Sequence, residues 1–160
     1  MSEEKNIVDF AARATFERGR RAGYLLGELD GRTLASILEA AYIDCRLDSD
    51  GDCVARDELS VVVTVDAERE LFRLLAYFTT TGTREQAIEF CNRFNAGILM
   101  ARAQVYDTPN SEGRWLVIID HDRLTFEEER LEARTIVKLV RRFEYVVRNG
   151  MIRFDSDRIF

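Results

Sequence analysis

The chain has 160 residues, a net charge of −6 and 46% hydrophobic residues, which suits one domain able to bury a core without disulfide or metal. The acidic balance argues against a nucleic-acid surface, which needs a basic face, and no apolar run reaches the roughly 20 residues of a membrane span. The acidic start MSEEKNIVDF lacks the apolar core of a secretion signal, and three cysteines are an odd, low number, so the expected setting is the cytoplasm.

Residues 5–26 predict a helix within an N-terminal helical extension over 1–29. Ile7, Phe10, Ala11 and Ala14 keep helical spacing, and Gly19, Gly23 and Gly27 interrupt the later half of that stretch. Arg18, Arg20 and Arg21 form a basic cluster, read as a solvated helix face or a mobile N-terminal segment. Asp30 is an N-cap for a second helix whose stripe is Leu34, Ile37, Leu38 and Ala41. A hairpin comes next, with strands over 42–47 and 53–56 around DSDGD, where Asp50-Gly51 signals a type I′ turn. Closed by a two- or four-residue loop, that hairpin points Cys45 and Cys53 to opposite faces, so no disulfide joins them.

Strands over 59–66 and 70–78 continue the chain. Leu59, Val61, Val63 and Val65 share one face of the first; Phe72, Leu74, Ala76 and Phe78 share one face of the second. Thr83-x-x-Gln86 is a capping box, opening a helix with Ala87, Phe90, Cys91 and Phe94 in register and Gly97 near its end. Two more strands span 99–106 and 114–121. With 106 opposite 114, the residues Ala101, Ala103 and Val105 face Ile119, Val117 and Trp115. Thr125-x-x-Glu128 is a second capping box, opening a last helix through Ile136, Leu139, Val140, Phe143 and Val147 to Asn149-Gly150. Residues 151–160 form a short C-terminal tail. The order predicts an α+β fold, an antiparallel sheet of about five to six strands with helices packed on one face.

The candidate chemistry is sparse. Asn92 and Asn95 fall on one helix face just before Gly97 and read as a structural signature at a helix end, since asparagine tolerates turns and bonds backbone groups. Counted from Asp48, the stretch DSDGDCVARDEL puts Gly51 at position 4 and Leu59 at position 12, which is not a calcium loop. Three scattered cysteines and one histidine make no zinc set. His121 lies between Asp120 and Asp122, a candidate pH sensor, but no nucleophile signature accompanies it. No phosphate-cradling glycine motif is present. The remaining feature is the second sheet face, where Leu75, Tyr77, Met100, Arg102, Tyr106, Leu116 and Ile118 make a partly apolar surface and a candidate partner-binding site.

The stretches TLASILEAAYIDCRLDSDGDC, LFRLLAYF and EFCNRFNAGILMARAQVYD, in this order, resemble the YbjN family of bacterial proteins over about residues 30–147. They reproduce its helix ending near a tyrosine, its acidic hairpin, and its helix with an Asn-x-x-Asn signature before a strand. Two positions depart from the pattern: Ala41 stands where a glycine commonly precedes the tyrosine, and HDRLTFEEE replaces a glycine pair before the last helix. The resemblance implies a YbjN-like domain over 30–150 with a fold like that of type III secretion chaperones, small acidic dimers that hold another protein's extended segment. The family carries a provisional label of sensory transduction regulator, with no enzyme activity and no cofactor. The expected function is therefore a non-enzymatic, homodimeric, chaperone-like or regulatory protein-binding module that engages neither nucleic acid nor membrane. The alternative is a small-ligand or pH-sensing regulatory domain with a pocket between helix and sheet near Asn92 and His121.

Overall fold

The computed structural model describes residues 23–126 and 128–160. Arg18, Arg20, Arg21 and most of the expected N-terminal helix lie outside them. After a short 3-10 turn (Leu26–Glu28), the elements are helix α1 (Gly31–Glu39), strands β1 (Asp44–Leu47), β2 (Cys53–Arg56), β3 (Ser60–Asp66) and β4 (Leu71–Thr79), helix α2 (Arg84–Gly97), strands β5 (Arg102–Val105) and β6 (Leu116–Leu124), and helix α3 (Ala133–Phe154). The strands form a six-stranded sheet in the order β1-β2-β3-β4-β6-β5. This is the α+β architecture the sequence predicts. No helix among the described residues is long and apolar enough to cross a membrane. The chain divides into two compact units. One takes the described residues up to Leu74 with Asp122–Arg141; the other takes Leu75–His121 with Arg142–Phe160.

In the first unit, α1 starts where a donor-rich helix end meets an acceptor. Asp30 Oδ1 accepts the Thr33 N–H at 2.7 Å, which satisfies one of the orphan donors of the first turn. That backbone bond, first among the causes, holds the Asp30 carboxyl below its ordinary range. Leu34, Ile37 and Leu38 are buried against the hairpin side. The helix ends in a Schellman arrangement: the Ile43 N–H reaches Leu38 O at 3.0 Å and the Tyr42 N–H reaches Glu39 O at 2.9 Å. Tyr42 takes the left-handed position at φ 62°, where glycine is the usual occupant, and its side chain is 89% exposed.

The hairpin departs from expectation in its loop. Leu47 pairs with Cys53 and Cys45 with Ala55, so five residues, 48–52, make the connection instead of two or four. Asp48 Oδ1 organises them by accepting the N–H groups of Asp50 at 3.0 Å and Asp52 at 2.9 Å, and Gly51 sits at φ 88°. The odd loop length reverses the parity argument. Cys45 and Cys53 lie on one face as diagonal neighbours rather than on opposite faces.

Two helix limits are also corrected in this unit. Residues 23–26 are not the end of a helix: Tyr24 pairs with Leu131 through two backbone bonds, at 2.9 and 2.8 Å. Gly23 permits this at φ 66°, where an added Cβ would crowd Arg130 at 2.9 Å. Nor does Thr125 cap the last helix. Its N–H and hydroxyl both donate to Glu70 O, at 2.8 and 3.0 Å, so the residue is spent fastening the chain to the start of β4. Helix α3 begins at Ala133 instead.

In the second unit, Thr83 and Gln86 form the expected capping box of α2, with bonds of 3.3 and 2.8 Å. Ala87, Phe90, Cys91 and Phe94 are its buried stripe. Helix α3 runs past Asn149-Gly150 to Phe154. Gly150 is a contact point and not a stop: a Cβ there would overlap the Phe94 ring, and a Cβ at Gly97 would overlap the Phe154 ring. Each helix thus presents a glycine to the other's phenylalanine. The last residues pack as well. Ile159 is buried, and the Phe160 ring lies 4.8 Å from Phe90 and 6.0 Å from Phe78. Strands β5 and β6 pair Ala103 with Ile119 and Val105 with Val117. The register is two residues away from the expected one, and because the shift is even, every side chain keeps its face.

Candidate functional site

The β5–β6 register places Arg102 opposite Asp120 and Gln104 opposite Ile118, and the Tyr106 N–H bonds Leu116 O at 2.8 Å. These six side chains share the face turned away from buried Val117 and Ile119. On β4, Leu75 and Tyr77 alternate with buried Leu74 and Ala76. The face is uneven in exposure. Tyr77 is 49% and Tyr106 53% exposed, whereas Ile118 and Asp120 are buried, the latter at 4%. Leu75 and Leu116 are half-buried. Arg102 spans the boundary: its Nε and NH2 groups donate to the two Asp120 oxygens at 3.4 and 3.0 Å, while its side chain stays 64% exposed. A buried carboxylate is tolerable only with such a partner. Met100 lies in the bend before β5, half-buried.

Asn95 and Asn92 part company. Asn95 Nδ2 donates to Ala103 O at 2.9 Å, and Asn95 Oδ1 accepts the Ala103 N–H at 2.7 Å. Even residues of β5 bond toward β6, as Tyr106 does, so Ala103 turns its N–H and C=O to the outer edge. The Asn95 amide occupies both, as a neighbouring strand would. Asn92 is exposed and lines an open groove of about 580 Å³ with Glu85, Ile88, Glu89, Arg93 and Ala96. Arg93 bonds Glu89 at 3.4 Å and Asp157 at 3.3 Å, and its buried Nε meets no partner among the described residues.

His121 does not join that groove. Its Nδ1 lies 2.6 Å from Met100 O, fixing the bend before β5. The flanking carboxylates are engaged elsewhere, Asp120 by Arg102 and Asp122 by Arg73 Nε at 2.8 Å. The Asp-His-Asp sequence is therefore three separate contacts. The hairpin acids are likewise absorbed locally: Asp48 holds the loop, and Asp52 Oδ1 accepts the Thr64 hydroxyl at 2.6 Å. The thiols of Cys45, Cys53 and Cys91 are free. A hydrogen bond with the Cys53 thiol, then burial, pushes the Cys45 thiol up, and burial pushes Cys91 up to about 11. Neither Cys45 nor Cys91 is poised as a thiolate nucleophile. Sequence reasoning passed over β1, which lies at the end of the strand order. Only that order, a non-local property, marks 44–47 as an edge.

No protein-family profile and no curated relative matches the chain. Among solved structures it is similar to the crystal structure of YbjN from E. coli, provisionally described as a transcription regulator. The TM-score is 0.62 at 10% identity, covering 80% of this chain and 93% of that one. The resemblance read from the sequence is thus present in the fold.

Proposed function

We propose that the chain is a non-enzymatic binding module that holds a polypeptide segment, as a chaperone-like or regulatory adaptor. The observation that supports this reading is the outer face of β4, β6 and β5 in the second unit. Tyr77 and Tyr106 stand half-exposed on it, and the Arg102 guanidinium lies on the same face. Aromatic and arginine side chains are the residues that anchor protein interfaces, because they supply large contact area with a polar tip. An extended segment laid there would draw affinity from apolar side chains packed on the two tyrosines. A regulatory role fits the provisional description of YbjN, and the acidic, cysteine-poor composition fits a cytoplasmic setting. The alternative, a ligand pocket shared by Asn92 and His121, has less support, since His121 is not in the lining of the groove beside Asn92.

The test is affinity capture from a lysate of the native organism, comparing the parent with Tyr77→Ala/Tyr106→Ala. Thermal melts of both proteins establish that each is folded. A polypeptide retained by the parent and lost by the double variant supports the reading. Equal retention by both, or no specific polypeptide at all, overturns it.

A further inference from the structure

Strand β1 is the last strand of the sheet among the described residues, and its side chains are mostly exposed. The backbone phase on it is fixed by its neighbours. The Asp48 N–H bonds Asp52 O at 3.0 Å, so residues 48, 46 and 44 turn their backbone groups toward β2. On the far side of β2, the Asp57 N–H bonds Leu59 O at 3.3 Å, which gives the same phase. The N–H and C=O groups of Cys45 and Leu47 therefore point away from the sheet. The strand is short, and no proline or lysine sits in it to blunt pairing.

We propose that this edge pairs antiparallel with β1 of a second copy, about a two-fold axis at Cys45. In that register Cys45 meets its own copy and exchanges both backbone bonds. Asp44 then stands opposite Arg46 of the second copy, and Arg46 opposite Asp44, at the positions where side chains approach most closely. Leu47 falls opposite Ile43, beside exposed Tyr42. The next register, centred on Arg46, sets Arg46 against its own copy and Asp44 against Asp48. One further step runs the pairing into the loop that Asp48 holds closed. Centred on Asp44, the pairing would set Asp44 against its own copy, so hydrogen-bond phase and charge select one self-complementary pairing. It uses none of the residues of the sheet-face reading above and stands or falls apart from it. An interface built on one strand pair is small, so the dimer is concentration-dependent.

Sedimentation velocity on the full chain tests this with three proteins. The parent should dimerise. Arg46→Asp leaves two acidic side chains at the pairing positions and Asp44→Arg leaves two basic ones. Each should raise the dimer Kd by roughly tenfold or more. An equimolar mixture of the two variants restores both opposite-charge pairs and should dimerise again. Far-UV circular dichroism and thermal melts establish that each variant is folded. A monomeric parent, a variant that dimerises unchanged, or folded variants that stay monomeric when mixed would each overturn the proposal.

Discussion

At β5 the outward N–H and C=O of Ala103 are occupied by the side chain of Asn95, whereas at β1 the outward groups of Cys45 and Leu47 meet no further strand among the described residues. Both strands span four residues, so length does not separate them. The difference lies in what the preceding helix offers. Helix α2 ends beside β5 and carries an amide at the right turn, while α1 ends in Tyr42 and feeds directly into β1. An exposed edge attracts other strands. Closing one with a side chain and leaving the other with alternating Asp44 and Arg46 makes the two edges chemically unequal, and only the second can recognise a copy of itself.

The largest expected effect on this contrast comes from Gly150→Ala. A mid-helix Gly→Ala change ordinarily stabilises by about 1 kcal/mol. Here the new methyl overlaps the buried Phe94 ring, and overpacking of this kind carries a net cost of about 2–3 kcal/mol. The seat of α2, and with it the Asn95 clamp, should loosen. Denaturant unfolding should show a lower midpoint; an unchanged or raised midpoint would contradict the packing described. Asn95→Ala is next. It removes two hydrogen bonds worth about 1 kcal/mol each and bares the β5 edge. In an Arg46→Asp background it should create a new concentration-dependent association, and its absence in sedimentation would show that the amide is not what closes this edge. The smallest effect is on the α1 side. Asp30→Ala should cost about 1 kcal/mol, the usual worth of a cap. Because the folded carboxyl titrates below its ordinary value of 3.8, its contribution is complete above that pH and is lost as pH falls through the folded value. Parent and variant melts should differ at pH 7 and converge in acid.

Much of the fold is legible where chemistry is local. The Asp30 cap, the Thr83–Gln86 box and the alternation through Phe72, Leu74 and Ala76 each depend on neighbours within a few residues, and all appear as the sequence predicts. Two of the failures share one cause, a distant partner. Thr125 carries the chemistry of a helix start but finds Glu70. Gly150 has the look of a helix stop but faces Phe94. The DSDGD loop contains a two-residue turn signal, yet Asp48 draws all five residues into one closure and reverses the Cys45–Cys53 parity. The faces of β5 and β6 were legible because parity survives an even register error. Burial along the face was not, so Ile118 reads as surface though it is buried.

The Asn95 clamp has a chemical lifetime. It works because one amide offers a donor to Ala103 O and an acceptor to the Ala103 N–H. Hydrolysis of that amide to a carboxylate replaces the donor with a second oxygen, and two acceptors then meet at 2.9 Å. A stored sample would thus convert slowly from a protein with one adhesive edge to one with two, and its earliest sign of ageing would be a shift from discrete dimers toward open-ended chains.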